Sequence, residues 1–204
     1  MKQLVALAAL GVLLAGSAGA QTTKKELPVV VLETTKGNIE IELYPDKAPV
    51  SVQNFLYYVD NKFYDGLIFH RVIADFMIQG GGFTPEMSQK QPKPAIEIES
   101  DNGLANDKYT VAMARTSDPN SATSQFFINV KDNAFLNFKS KTPQGYGYTV
   151  FGKVVAGQNV VHAIEKVKTG AKNGMNDVPV EVVTITKAYR KGGAAPAAKT
   201  ENKG

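Results

Sequence analysis

Apolar and polar positions change their spacing several times along this 204-residue chain. From Val29, "VVVLETTKGNIEIELY" gives two β-rich runs around Lys36-Gly37-Asn38. Ile39, Ile41 and Leu43 alternate there with polar residues, which predicts a β-hairpin. In "DKAPVSVQNFLYYVDN" the period lengthens. Val52, Phe55, Leu56 and Val59 fall at i, i+3, i+4 and i+7, an amphipathic helix with Pro49 near its start. "GQNVVHAIEKV" predicts a second helix, with Val160, Val161, Ile164 and Val167 as its apolar stripe. Further strands are expected at 67–73, 76–79, 96–99, 109–114, 125–130, 149–155 and 181–188. Many short strands with only two helices predict a mainly-β domain, either a sandwich or a barrel. Periodicity does not choose between them, although closing a barrel would remove exposed edges.

The two ends follow a different pattern. "MKQLVALAALGVLLAGSAGA" has one positive charge, an apolar run over 4–14 and a small-residue site at Ala18-Gly19-Ala20. That is the three-part pattern of a secretory signal peptide cleaved after Ala20. Its apolar run is shorter than the roughly 20 residues of a membrane span. The expected organisation is therefore a leader at 1–20, a linker at 21–27, a domain at 28–190 and a disordered Ala/Gly/Lys tail at 191–204. The leader predicts export to a periplasm or by another secretory route, and the closing "ENKG" is not a retention signal of the KDEL type.

Composition narrows the chemistry. The formal net charge is +4, but basic residues are interspersed with acidic ones, which gives no nucleic-acid footprint. No second apolar span follows the leader, so no membrane domain is expected after cleavage. Without cysteine there is no disulfide, thiolate metal site or cysteine nucleophile. The two histidines, His70 and His162, are too few for a histidine-based metal site, and neither a G-x-S-x-G elbow nor a calcium loop is present. Gly80-Gly81-Gly82 lacks the Lys-Ser/Thr that would make it a phosphate loop. Neither metal nor cofactor is expected.

The remaining candidate is "FHRVIADFMIQGGG" (69–82), an apolar run carrying Arg71 in its middle and Gln79 before three glycines. An arginine, amides and apolar side chains suit a reaction with neither proton transfer nor a covalent intermediate. Rotation about a prolyl peptide bond is such a reaction, since its barrier of about 18–20 kcal/mol comes from amide resonance. A fixed guanidinium could stabilise the twisted amide more than the planar one. Taken alone, Arg71 could equally form a structural ion pair with Asp75 or Glu99, and the apolar residues could simply be core. Strand alternation sends His70 and Arg71 to opposite faces, which gives His70 a structural role. It also separates Phe76 from Met77 unless the chain bends near Ala74-Asp75. His162, beside the second apolar stripe, is read as structural or surface. The glycines are read as permitting a tight turn or a close backbone approach.

The stretch 69–83 closely resembles the signature of the cyclophilin family of peptidyl-prolyl isomerases. "YTVAMARTSDPNSATSQFFINV" (109–130), "AFLN" (134–137) and "YTVFGKVV" (148–155) resemble that family too, in family order, and the block at 111–130 is most similar to its exported bacterial branch. The resemblance implies a closed eight-stranded antiparallel β-barrel capped by two α-helices. It implies that Arg71 is catalytic, that Phe76, Met77, Phe127 and Leu136 wall a proline pocket, and that Gln79 binds substrate and orients the arginine. Ala114, Arg115 and Gln125 would form the neighbouring groove, where backbone groups hold an extended peptide. Phe135 stands where many eukaryotic members have tryptophan, and the chain has no Trp. The missing indole N–H implies weak cyclosporin binding. Tyr148 replaces a common histidine and keeps a ring with a polar tip. Arg115 replaces a common asparagine. The implied partners are proline-containing polypeptides, met by a monomer in the periplasm. A proline-peptide-binding chaperone without catalysis is the alternative, and the intact Arg71 and Gln79 weigh against it.

Overall fold

A computed structural model describes residues 26–192. The leader at 1–20 lies outside the described residues, as do most of the linker at 21–27 and most of the tail at 191–204.

Eight strands form one antiparallel sheet in the order β10-β1-β2-β7-β5-β6-β4-β3. They are β1 (Val29–Thr34), β2 (Gly37–Leu43), β3 (Phe69–Ile73), β4 (Met77–Gly80), β5 (Thr110–Met113), β6 (Phe126–Asn129), β7 (Val150–Ala156) and β10 (Ile185–Arg190). The helices are α1 (Pro49–Asp60) and α2 (Gln158–Glu165), as the two apolar stripes predict. The β1–β2 hairpin pairs Thr34 with Gly37, so its turn is Thr35-Lys36 and Gly37 already belongs to β2.

The sheet curls around the main core, which holds Ile39, Ile41, Phe69, Val72, Ile78, Val111, Phe126, Ile128 and Phe151 with the inner faces of both helices. A second, smaller cluster lies on the outer face: Met77, Ala112, Phe127, Leu136 and Val150. β5 and β6 are buried along their whole length because alternate residues enter the two clusters. That is why both read as continuous apolar runs rather than as alternating ones.

The barrel is not closed. Edge strands β3 and β10 share no ladder; the edges meet only at the isolated bridge Ile68↔Thr184. Phe69 N–H donates to Val183 O (2.9 Å) and Ile185 N–H to Leu67 O (2.8 Å) on either side of it. The contact is thus confined to the first residue of each strand and the residues just before it, and the sheet stays an open, curled half-barrel.

The strand expected at 96–99 is reduced to one bridge, Ile96↔Ala122. Beyond Ile96, backbone donors go to side chains instead of a neighbouring strand. Ile98 N–H reaches Asn120 Oδ1 and Glu99 N–H reaches Thr149 Oγ1, both at 3.0 Å. Conversely, a separate hairpin that the pattern did not predict forms from β8 (Thr169–Lys172) and β9 (Met175–Pro179). Its turn, Asn173-Gly174, has φ of 49° and 77°, the two positive values a tight hairpin turn needs.

Candidate active site

Sheet register assembles the site. Arg71 on β3 pairs with Gln79 on β4, Gln79 with Phe127 on β6, and Phe127 with Ala112 on β5. Residues opposite one another in a sheet share a face, so this row runs across the outer surface beside the smaller cluster. Arg71, Gln79 and Phe127 open there into a groove of about 360 Å³, also lined by His70, Phe76, Met77, Phe83, Ala114, Arg115, Gln125, Leu136, Tyr148 and Met175.

His70 corrects the alternation argument. The β3–β4 register slips between Phe69 and Arg71, a bulge that adds one residue to β3. Phe69 and Val72 both point into the main core, three positions apart. His70 and Arg71 therefore both line the groove. His70 is only 1% exposed, its ring lies 4.6 Å from that of Phe83, and its Nδ1 has no hydrogen-bond partner. Burial lowers its pKa from 6.5 to about 4, and the Arg71 charge adds to this against upward pulls from the Ile68 backbone and Gln125. The ring is neutral at physiological pH.

Phe76 and Met77 do come together. Asp75 takes φ +56° and Phe76 N–H donates to Ile73 O at 3.2 Å, so Phe76 belongs to the turn before β4. Strand alternation does not reach it. Its ring stacks on Phe135 with centroids 5.6 Å apart. Phe135, 62% exposed, follows Ala134 in a short 3₁₀ turn (Ala134–Leu136) and covers Phe76 from outside; it does not line the groove. Leu136 and Phe127 are buried in the smaller cluster, with the Tyr148 ring edge-on to Phe127 at 5.5 Å.

Gln79 Nε2 donates to Gln125 Oε1 at 2.9 Å. These two residues, with Ala114 and Arg115, also line an adjoining groove of about 280 Å³. Ala114 N–H donates to Gln125 O (3.0 Å) and is thus occupied within the fold. The Arg115 side chain is a strut. Its Nε donates to Gly147 O (2.7 Å), its Nη1 to Thr116 O (2.8 Å), and its guanidinium lies 4.9 Å from the Tyr148 ring centre. The glycines provide close approach. Gly81 has φ +84°, and a Cβ on Gly82 would come within 2.6 Å of Gln125 Cγ.

Arg71 pairs with neither Asp75 nor Glu99. Glu99 caps α1, the Asp75 N–H donates to Glu165, and the carboxylate near Arg71 is Asp177, 3.9 Å from its Nε. Asp177 and the groove residue Met175 lie on β9; the Asn-Gly pair was the signal that could have located them. A buried asparagine group was equally invisible in the sequence. Asn133 Nδ2 holds Phe76 O (2.9 Å) and Asn129 Oδ1 (2.7 Å), and Asn106 Nδ2 holds Leu136 O (3.2 Å). Isolated asparagines in loops carry no pattern that distinguishes this role from a turn.

An open groove on a curled sheet, apolar at one end and with an arginine and two amides beside it, has the shape and polarity to take an extended chain. Comparison with known proteins gives the family. The model of the cyclophilin type peptidyl-prolyl cis-trans isomerases matches residues 29–190, and the chain belongs to that family. It is 62% identical to peptidyl-prolyl cis-trans isomerase cyp18 of Streptomyces antibioticus over 162 residues, 79% of this chain and 98% of that one. It is 54% identical to peptidyl-prolyl cis-trans isomerase B of Escherichia coli over 157 residues, 77% and 96% of the two chains. Among solved structures, a Cryptosporidium parvum cyclophilin type isomerase, determined in the presence of the dipeptide Ala-Pro, superposes with a TM-score of 0.67 at 26% identity, covering 79% of this chain and 97% of its own. The protein is a peptidyl-prolyl cis-trans isomerase.

Proposed function

We propose that the groove accelerates rotation about Xaa-Pro bonds through Arg71, in exported polypeptides that are unfolded or partly folded. The observation that carries this is the row Arg71–Gln79–Phe127, which sets a guanidinium and an amide beside an apolar wall. The proline ring enters between Met77, Phe127 and Leu136, with Phe76 at the mouth. Gln79, fixed by Gln125, holds the peptide backbone. As the amide twists, its nitrogen pyramidalises and its lone pair localises. The guanidinium hydrogen-bonds the twisted amide more strongly than the planar one, and that difference lowers the barrier. The step moves no proton and calls on no cofactor.

Exchange-rate NMR on an Ala-Pro peptide tests the reading. The protein should speed cis-trans exchange, and a folded Arg71→Ala variant should lose about 10²–10³-fold of that acceleration, the range for one transition-state donor. A variant as active as the wild type would remove Arg71 from the mechanism.

The leader-like pattern of residues 1–20 supports work in the periplasm. A mature chain beginning at Gln21 in that fraction is the expected finding, and an intact chain in the cytoplasm would overturn it. Phe135 has no indole N–H, which supports weak cyclosporin binding. Calorimetric titration should show tighter binding by Phe135→Trp, and equal affinities would refute this reading. The expected monomer is open to sedimentation analysis.

A further inference from the structure

We infer that Asp177 is a positioning residue for Arg71: its carboxylate holds the Nε side of the guanidinium, so that the terminal nitrogens face the bound prolyl amide. The inference rests on the catalytic reading of Arg71 given above. Asp177 Oδ2 lies 3.9 Å from Arg71 Nε, an ion-pair distance longer than a hydrogen bond. The side chains are 42% and 39% exposed, so the pair steers without locking. Other polar groups of the region have partners of their own. Gln79 turns its Nε2 to Gln125, Glu99 holds the start of α1, and Glu165 takes the Asp75 N–H.

The hairpin that carries the carboxylate is held from both sides. Met175 and Val178 flank Asp177 on β9 and pack with Ile68, Phe83 and Met87 in a small cluster of their own. Lys172 Nζ donates to Pro85 O at 3.1 Å and Asn173 Nδ2 to Glu86 O at 3.4 Å, which ties the hairpin tip to the same segment. Asp177 itself has φ +61°, a left-handed backbone that Asp and Asn adopt more readily than other non-glycine residues. A guanidinium presents its donors in a planar fork. An anion on the Nε side therefore fixes the plane and leaves the outer edge free for substrate.

Asp177→Asn is the discriminating variant, since it keeps the shape and tolerates the backbone while removing the charge. Peptide exchange measured by NMR across peptide concentrations separates kcat from KM, and the Arg71 Nε–H resonance reports the guanidinium directly. In the variant, kcat should fall about two- to five-fold with KM changed less than about two-fold, as befits a half-exposed ion pair. The Arg71 resonance should shift and broaden. An unchanged kcat, an unmoved resonance, or a raised KM at constant kcat overturns the inference. If Arg71→Ala is inactive while Asp177→Asn behaves as wild type, the proposed function stands and only this inference falls. An active Arg71→Ala overturns both.

Discussion

At Gly82 the site depends on a side chain that is not there. The Gln125 Cγ occupies the space a Cβ would need, 2.6 Å away, and Gln125 in turn holds Gln79 at 2.9 Å. Gly82→Ala should displace Gln125 and break that bond with little effect on the main core. The expected outcome is a raised KM for Xaa-Pro peptides, about three- to ten-fold for one lost hydrogen bond of about 1 kcal/mol, with a near-native melting temperature. A variant that keeps its KM would detach Gln125 from substrate binding. At this scale the sequence was informative about chemistry and poor about neighbours. Arg71 and Gln79 stood out by type, the glycines by their number, and Phe127 only through the family resemblance. The partners that hold them in place, Asp177, Asn133 and Gln125's bond to Gln79, come from distant segments and leave no local pattern. His70 was misread for a different reason: strict alternation assumes no bulge, and one extra residue reverses the face of everything beyond it.

The helices and central strands form where the pattern says, but their ends are closed by residues far along the chain. α1 begins after Ala48, which offers no side-chain cap. Glu99 supplies one instead: Val50 N–H and Ser51 N–H donate to its two oxygens at 2.9 and 2.8 Å, and Ser51 Oγ donates at 2.7 Å. A carboxylate there also meets the positive end of the helix dipole. Glu99→Ala should cost about 1–2 kcal/mol, the range for a lost N-cap, seen as a lower urea midpoint with an unchanged slope. An unshifted midpoint would show that water replaces the carboxylate without cost. The helices and central strands were legible because burial on one face or two leaves a period. The β8–β9 hairpin was not, because most of β8 is exposed and carries no alternation. Residues 96–99 misled in the other direction: alternating Ile96, Glu97, Ile98 and Glu99 look like a strand, yet they serve the ends of other elements.

Stability of the whole molecule should carry the signature of one ring. His70 keeps a pKa of about 4 in the fold against 6.5 in the unfolded chain. Above pH 6.5 the ring is neutral in both states and contributes no slope. Between pH 6.5 and 4 the unfolded chain takes up a proton that the folded chain refuses, so stability falls as pH falls, by about 3 kcal/mol in all. Below pH 4 this slope ends. Urea unfolding across that window, compared with His70→Gln, should show the wild type losing the extra stability; parallel curves would place the His70 pKa near its ordinary value. The overall architecture was less legible than its parts. Periodicity left sandwich and barrel equally open, and family resemblance supplied a closed barrel where β3 and β10 in fact touch at one bridge. Whether two edges meet is decided by twist and register summed over eight strands, and no single segment encodes that.

β5 and β6, buried on both faces, set how such a protein can diversify. Alternate residues of each strand serve the interior and the outer cluster beside the groove, so that stretch is confined by two demands at once. The segments at 115–123 and 134–148 and the β8–β9 hairpin border the grooves and give the main core only Ala122. Drift can proceed there at small cost to folding, and it would change which client sequences are favoured while the chemistry at the prolyl bond stays fixed. Lineages that share the Arg71–Gln79–Phe127 row should therefore differ in client range mainly through those three segments, and grafting them between relatives should transfer preference without transferring stability.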